Sequence, residues 1–138
     1  MKFTNLKGKP TFKNISKFRI DWSKQSKSKF QFNVKQFFKQ YWSNHICYEE
    51  VVLAGTRLSL DILNLTERVG VEVHGDQHIK HVPFFHGKNS IGFGDQIKRD
   101  LDKIKWCENN KIELIEIYSS DLSDLSKEWI YENFNIIL

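Results

Sequence analysis

The sequence is short of long apolar runs, of cysteine and, in its first third, of acidic residues. No stretch approaches the roughly eighteen apolar residues of a membrane-spanning helix, so we expect no membrane partner. The first ten residues, MKFTNLKGKP, lack the apolar segment of a secretory signal. Cys47 and Cys107 stand alone, with no paired motif, which is typical of reduced thiols. These absences predict a cytoplasmic protein.

Size and composition favour a single folded domain. The chain has 138 residues, of which 40% are apolar and 14% aromatic. A chain of this length can bury its own core, and its apolar content is too high for a disordered segment.

Charge is divided unevenly along the chain. Residues 1–40 contain eleven Lys or Arg and a single acid, Asp21, and so carry +10. Residues 41–138 contain ten basic and sixteen acidic residues and so carry −6. A basic arm on an acidic body favours a polyanionic partner, most simply nucleic acid.

We assign the arm to residues 1–29 and the body to residues 30–138. The arm interleaves lysines with four aromatic residues, which fits an irregular segment or a short β-ribbon. Its Lys-Ser repetition at 24–29 is typical of a solvated loop. Basic side chains dominate affinity for nucleic-acid phosphates, and those assigned to DNA contact are Lys7, Lys9, Lys13, Lys17, Arg19, Lys24, Lys27 and Lys29.

The first part of the body predicts a helix and three strands. Residues 30–42 have apolar side chains at helical spacing. The inward face of this helix should consist of Phe30, Val34, Phe37, Phe38 and Tyr41, with Lys35 and Lys39 at its edges. Strand patterns follow at 46–53, 57–64 and 68–75. The links between them have three residues each, which predicts an antiparallel meander.

The second part predicts a loop, a helix, a strand and a final helix. The loop covers 79–94, where Pro83 and three glycines occur. The helix should run from about 95 to 109. Its core-facing side chains should be Ile97, Leu101, Ile104, Trp106 and Cys107. The strand at 111–119 should bury Ile112, Leu114 and either Ile115 or Ile117. The last helix should be capped by Asp121 or Ser123 and hold Leu125, Trp129 and Phe134.

This element order predicts an α/β domain. Its sheet should be small and mixed, with a three-strand meander plus one further strand, and it should be flanked by helices.

The stretch VEVHGDQH at 71–78 suggests a reaction centre. Val71 and Val73 alternate with Glu72 and His74, as in a strand with one apolar face. Asp61 alternates with aliphatic residues on the preceding strand. If the two strands pair antiparallel, Asp61 and Glu72 face each other with Cβ atoms roughly 5 Å apart. Such carboxylates repel each other unless a cation lies between them, and Mg²⁺ suits that position. The alternative is a solvent-facing sheet with ordinary acids.

Histidines add a possible base and a competing interpretation. His74 projects from the same face as Glu72, and His78 follows the turn at Gly75, so either could activate a water. His74, His78, His81 and His86 also crowd together, which raises the alternative of a zinc site. The i,i+4 spacing of His74 and His78 suits zinc on a helix, however, and the strand pattern and Gly75 argue against a helix here.

These motifs resemble the PD-(D/E)XK nuclease superfamily, in its very-short-patch-repair-like and phage homing-type endonuclease branches. Members carry an Asp on one strand, a Glu on the next and a Gly-x-Gln-His turn. A helix with Gln-x-x-x-Asp-x-x-Lys and an aliphatic strand follow. The matching positions in this chain are Asp61, Glu72, Gly75-Asp76-Gln77-His78, Gln96, Asp100 and Lys103. The likeness covers about residues 46–118.

The resemblance implies a restriction-endonuclease-like core that hydrolyses DNA phosphodiesters with Mg²⁺, for which Mn²⁺ would substitute. Asp61 and Glu72 would hold the metal, with the carbonyl of Val73 as a further ligand. Glu50 would add another acid, with Glu49 as a less favoured substitute. Gln96 and Asp100 would reach the site or support it.

One departure from the family leaves a role open. The superfamily lysine two residues after the Glu is replaced by His74, although the repair-type branch has a His-Gly pair at this place. The substitute for the lysine could be His74, Gln77, His78 or Lys103.

We therefore expect an endodeoxyribonuclease acting on double-stranded DNA, either of homing type or mismatch-nicking, in a bacterial or phage-infected cell. Cutting both strands would be simplest for a homodimer. The alternative is a catalytically silent DNA-binding module of the same fold.

Overall fold

The computed structural model describes residues 1–75 and 90–138, and side chains at 90–93 are not described. Its strands are β1 (Lys2–Thr4), β2 (Pro10–Phe12), β3 (Cys47–Val52), β4 (Ser59–Asn64), β5 (Val69–His74) and β6 (Glu113–Tyr118). Its α-helices are α1 (Lys29–Trp42), α2 (Ser90–Asn109) and α3 (Lys127–Phe134). Two 3₁₀ helices cover Ser16–Phe18 and Ser119–Asp124.

A mixed sheet of four strands lies at the centre, in the order β3-β4-β5-β6. Strands β3, β4 and β5 form an antiparallel meander, and β6 pairs with β5 in parallel. A parallel pair needs a long crossover connection, and α2 lies in that connection. The predicted mixed sheet, a three-strand meander plus one further strand flanked by helices, is confirmed.

Helices α1 and α3 pack on one face of the sheet. Their buried apolar side chains belong to one core cluster with residues of β4, β5 and β6. Apart from Cys47 of β3, the fully buried members are Val34, Phe38, Ile62, Val71, Ile115, Ile117 and Ile130. Burying each of these side chains contributes about 1.5–3 kcal/mol, so this cluster stabilises the strands on which the site is built.

The predicted inward face of α1 is corrected by the structure. Its buried residues are Gln31, Val34, Lys35, Phe38 and Trp42, whereas Phe30, Phe37 and Tyr41 are half-buried. Lys35, predicted at the edge, is fully buried because its ammonium finds a carboxylate, Glu49, at 2.8 Å. Lys39 is exposed as predicted.

Helix α2 differs from its prediction at its first half. It begins at Ser90 rather than near 95, so part of the predicted loop is helical. Ile97 and Leu101, predicted to face inward, are 37% and 59% exposed. The half-buried residues of this part are polar, Gln96 and Asp100, because the helix here faces a polar cavity instead of a core.

The second half of α2 packs as predicted, on the other face of the sheet. Trp106 and Cys107 are buried in a second core cluster that includes Ile112. Ile104 is half-buried.

The C-terminal elements confirm the last strand and correct the last helix. In β6, Ile115 and Ile117 are both buried and Leu114 is half-buried. Neither Asp121 nor Ser123 caps α3, because both belong to the preceding 3₁₀ helix. The cap is Ser126, whose side chain accepts a hydrogen bond from the backbone N–H of Trp129, as an N-cap serine does. Ile130 is the buried residue of α3. Leu125, predicted within this helix, instead precedes its N-cap, while Trp129 and Phe134 lie in it as predicted. All three pack partly buried against the core cluster that contains residues of α1 and α3.

The first residues form a β-ribbon, one of the two predicted alternatives, and pack on the body. Strands β1 and β2 pair antiparallel, and Phe3 is buried with its ring centroid 5.4 Å from that of Trp106. The Asn110 side chain accepts from the N–H of Thr4 at 2.7 Å and donates to its carbonyl at 2.8 Å. Across the described residues, no helix is both long enough and apolar enough to cross a bilayer.

Candidate functional site

Two buried carboxyl groups, Asp61 and Glu72, lie together on β4 and β5. The register pairs Ile62 with Val71, so Asp61 and Glu72 are the next residues along the antiparallel pair. They are only 3% and 4% exposed, and their side chains share a hydrogen bond. The N–H of Val73 donates to Asp61 Oδ2 at 2.8 Å. The predicted antiparallel pairing is confirmed, and it brings the two acids together.

The pKa values of the two carboxyl groups are shifted in opposite directions. Burial, together with the hydrogen bond and negative charge of Asp61, raises the pKa of Glu72 to about 9. Burial works against ionised Asp61 too, but the hydrogen bonds from Glu72 and the Val73 amide and the charge of Lys27 hold its pKa below the usual range. Protonation of the pair is therefore favoured on Glu72 rather than on Asp61.

Two lysines from different elements reach this pair. Lys103 of α2 places its ammonium 2.7 Å from Glu72 Oε1. Lys27 of the arm lies 3.0 Å from Asp61 Oδ1 and 3.3 Å from Glu50 Oε1. Burial opposes the charge of Lys27, but the attraction of Asp61 and Glu50 outweighs it and raises the pKa of Lys27. Positive charge thus lies against both buried acids.

Of the two adjacent acids on β3, Glu50 belongs to the site. Glu49 points away, where Lys35 contacts it at 2.8 Å and the Gln31 side chain donates to it at 3.1 Å. Glu50 has a left-handed backbone, with φ of 53°, which costs a residue other than glycine about 1–3 kcal/mol. Glu50 lies between the register pairs Glu49–Ile62 and Val51–Leu60, and therefore opposite Asp61.

At Asp61, the predicted alternation of apolar and polar residues along β4 is interrupted. Leu60 and Ile62, expected in one apolar row, join different core clusters. Asp61, between them, reaches Glu72 and Lys27.

His74 is held by two residues of β6. Its Nε2–H donates to Glu116 Oε1 at 3.2 Å, and its ring stacks on Tyr118 with centroids 4.7 Å apart. The hydrogen bond from His74 lowers the pKa of Glu116, so the carboxylate is ionised at neutral pH and orients the imidazole. Sequence reasoning missed Glu116. Its alternation with Ile115 and Ile117 placed it on the polar face, but only the parallel register beside β5 brings it to His74.

One cavity of about 320 Å³ has Asp61, Glu72, His74 and the two lysines in its lining. Glu50 lines a second cavity instead. The Gln96 side chain donates to Asp100 at 2.9 Å across one helical turn, and both residues line the cavity. Arg57 and Arg99, which the sequence had not singled out, also line it. The remaining lining residues are Lys27, Leu58, Ser59, Asp61, Glu72, Val73, His74 and Lys103.

Gln77 and His78 lie outside the described residues, as do His81 and His86 of the zinc alternative. Cys47 and Cys107 are both buried without a disulfide, and burial raises the pKa of each thiol to about 12. Within residues 1–75 and 90–138, no three His, Cys, Asp or Glu side chains form a group able to hold a metal ion. In that part of the chain, the carboxyl groups that could bind a metal are the pair Asp61 and Glu72. Glu50 is connected to this pair by the Lys27 ammonium, which contacts both Glu50 and Asp61.

Most of the basic residues assigned to DNA contact are on the surface. Lys7, Lys9, Lys17, Arg19, Lys24 and Lys29 are exposed, and Lys13 is half-buried. A second cavity, of about 350 Å³, has Lys17, Phe18, Arg19 and Lys24 in its walls and extends to Glu50. Lys27 lines both cavities. Residues 24–28 form an exposed loop as predicted, apart from half-buried Ser26, which donates to Glu49 at 2.5 Å. The prediction did not anticipate that exposed Lys27 would form an ion pair with Asp61.

Comparisons with known proteins give two viral relatives. Over 60 residues the chain is 40% identical to Uncharacterized protein 307L of Invertebrate iridescent virus 6, covering 44% of this chain and 30% of that protein. Over 74 residues it is 35% identical to Uncharacterized protein 033L of Invertebrate iridescent virus 3, covering 53% of this chain and 38% of that protein. The chain thus spans about a third of the length of these relatives. It matches no protein-family model and no solved structure.

Proposed function

We propose that the protein is a metal-dependent endodeoxyribonuclease with the restriction-endonuclease-like core of the PD-(D/E)XK superfamily. One observation carries this proposal: Asp61 and Glu72, both buried, share a cavity with Lys103 and His74. Burying two neighbouring carboxyl groups destabilises the folded state. Stability therefore does not account for their position. Such a cluster is characteristic of a functional site.

The residues present fit a divalent cation with hard oxygen ligands. Asp61 and Glu72 supply adjacent carboxyl oxygens, and the carbonyl of Val73 would be a third ligand. Mg²⁺ characteristically takes one or two carboxylates and retains waters, so a larger cluster of acids is not required. The proton on Glu72 and the ammonium groups of Lys27 and Lys103 now supply the positive charge that a cation would bring. When bound, Mg²⁺ or Mn²⁺ would neutralise phosphate charge and acidify a water.

The reaction is hydrolysis of a phosphodiester. A water oxygen forms a bond to phosphorus, the bond from phosphorus to one ester oxygen breaks, and the departing alkoxide takes a proton. His74, oriented by Glu116, would accept the water's proton. Lys103 would stabilise the negative charge that develops on the phosphate, which is the task of the superfamily lysine that this sequence lacks two residues after Glu72.

The proposed substrate is double-stranded DNA. The exposed basic residues of the arm supply sequence-independent affinity for phosphates. Arg57 and Arg99, which line the catalytic cavity, would contact further phosphates. A single copy would suffice to nick one strand, whereas a double-strand break would be simplest for a homodimer. The setting we propose is the cytoplasm of a bacterial or phage-infected cell, and the viral relatives add virus-infected cells generally.

A catalytically silent DNA-binding module is the second candidate. Two observations favour it, namely the replacement of the superfamily lysine by His74 and the pairing of both buried acids with lysines. It predicts salt-dependent DNA binding without strand scission under any divalent metal.

Supercoiled plasmid incubated with pure protein distinguishes the two. With Mg²⁺ the nuclease produces nicked or linear plasmid, and EDTA prevents this. Asp61→Asn and Glu72→Gln should each reduce the rate at least about 100-fold, the scale on which loss of one electrostatic contact reduces turnover. Glu113→Gln, an exposed acid on β6, is the matched control. Cleavage by Asp61→Asn at the wild-type rate would refute the proposed site.

A further inference from the structure

We propose that Lys27 is a phosphate-binding residue of the reaction site and that, without substrate, its ammonium occupies the entrance to the buried carboxyl pair. This inference rests on the proposed nuclease function. It assigns to Lys27 a role different from that of the other basic residues of the arm, which would contribute general affinity for DNA.

The contacts of Lys27 distinguish it from its neighbours. Its ammonium lies 3.0 Å from Asp61 Oδ1 and 3.3 Å from Glu50 Oε1. Its side chain is 56% exposed, whereas that of Asp61 is 5% exposed. The ammonium therefore reaches from the surface to a buried carboxylate, and any ligand that approaches Asp61 from this side meets Lys27 first.

The backbone beside Lys27 is anchored independently of this ion pair. Buried Lys35 donates to the carbonyl of Lys24 at 2.8 Å and contacts Glu49 at the same distance. Ser26 donates to the other oxygen of Glu49 at 2.5 Å. These contacts hold the loop in place, while the four-carbon stem of a lysine is flexible. The ammonium can thus change partners without unfolding the loop.

A second partner would arrive through the adjoining cavity. Four basic residues line that cavity, Lys17, Arg19, Lys24 and Lys27, against three acids, Asp21, Glu49 and Glu50. Lys35 and Ser26 already neutralise and bind Glu49. A DNA strand attracted to these basic residues would bring phosphate oxygens within reach of the Lys27 ammonium. Transfer of the ammonium from Asp61 to a phosphate would uncover the carboxyl pair for a cation while the phosphate is being positioned.

This exchange couples the two ligands. Because Lys27 competes with a divalent cation for Asp61 but favours bound phosphate, DNA should raise the affinity for the cation, and the cation should raise the affinity for DNA by the same factor. An ordinary surface ion pair predicts no such coupling, since exposed pairs contribute little.

The test compares Lys27→Gln with Lys39→Gln, which removes the same charge from an exposed position on α1 that is not assigned to DNA contact. Without DNA, calorimetric titration with Mn²⁺ should give a Kd for Lys27→Gln about 5- to 10-fold lower than for wild type, at the low end of typical coupling factors. The Kd of Lys39→Gln should equal that of wild type. At saturating Mn²⁺, plasmid cleavage by Lys27→Gln should nevertheless be at least about 10-fold slower than by Lys39→Gln.

Two results would overturn the inference separately from the proposed function. If wild type binds Mn²⁺ and cleaves DNA but Lys27→Gln matches Lys39→Gln in both assays, the role of Lys27 is refuted and the nuclease stands. If wild type neither binds Mn²⁺ nor cleaves DNA, the nuclease proposal fails and this inference fails with it. Unchanged circular dichroism and unfolding midpoint for Lys27→Gln show that the comparison concerns folded protein.

Discussion

The ammonium of Lys103, on α2, lies 2.7 Å from a carboxyl oxygen of Glu72, on β5. These residues are 31 positions apart, and the fold brings them together because α2 connects β5 to the parallel strand β6. In the proposed nuclease, Lys103 would supply from a helix the positive charge that the superfamily lysine supplies two residues after its Glu.

Replacing Lys103 tests this substitution. Lys103→Met keeps the length of the side chain but removes its charge, and we expect cleavage to fall about 100- to 1,000-fold, as for loss of one charge-stabilising group. Lys105→Gln removes a charge from an exposed position on the same helix and should leave the rate near that of wild type. Single-turnover plasmid cleavage measures both. Equal rates for the two variants would exclude Lys103 from the chemistry.

The pair of His74 and Glu116 predicts two effects of different size. His74→Ala removes the proposed base and should slow cleavage about 100- to 10,000-fold. Glu116→Gln keeps a hydrogen-bond acceptor but loses the charge that orients the imidazole, so its loss should be smaller. Cleavage rates measured from pH 5.5 to 8.5 check this. The interpretation fails if Glu116→Gln matches wild type in rate and pH profile.

Glu72 predicts a pH dependence of folding stability. Its pKa of about 9 in the folded protein exceeds the ordinary value of 4.5, so between these values the native state keeps a proton that the unfolded state releases. The free energy of unfolding should therefore fall as the pH rises from 4.5 to 9, with a slope of up to about 1.4 kcal/mol per pH unit. The loss is complete above 9.

Urea unfolding in EDTA at a series of pH values measures this slope. Glu72→Gln has no proton to release, so its decline between pH 4.5 and 9 should be much shallower than that of wild type. The raised pKa of Glu50 acts in the same direction in both proteins and cancels in the comparison. Parallel curves would show that Glu72 is ionised in the folded protein at neutral pH.

The buried ion pair of Lys35 and Glu49 predicts a structural effect without a direct catalytic one. Lys35→Met leaves the Glu49 carboxylate with the Gln31 and Ser26 side chains as its hydrogen-bond donors. Removing one partner of a buried pair typically costs about 3–5 kcal/mol. Adding Glu49→Met should recover much of that loss, which urea unfolding of the single and double variants would measure. Additive losses would mean that the two side chains do not interact.

Sequence periodicity predicted the sheet because its strands obey local rules. Strands β4 and β5 alternate apolar and polar residues, and three-residue links favour antiparallel neighbours. The meander and the meeting of Asp61 with Glu72 followed from these two patterns. The fourth strand followed from the alternation at 111–119, within which the structure places β6.

The errors occurred where tertiary contacts override periodicity. Lys35 looked like a surface residue because nothing local reveals that Glu49, fourteen positions later, would meet it inside the protein. Ile97 and Leu101 looked like core residues at helical spacing, but the Gln96–Asp100 pair of the same helix lines the polar cavity. The position of Lys27 depends on a loop held by Ser26 and Lys35 through non-local contacts.

If Asp61 and Glu72 form a divalent-cation site, anomalous diffraction from a crystal soaked in Mn²⁺ should show a manganese peak about 2.0–2.2 Å from a carboxyl oxygen of each residue, as expected for small hard cations. The ammonium of Lys27 should then be withdrawn from Asp61. A fully soaked crystal with no peak between these carboxyl groups, and with Lys27 and Lys103 still in contact with them, would show that the pair binds no cation.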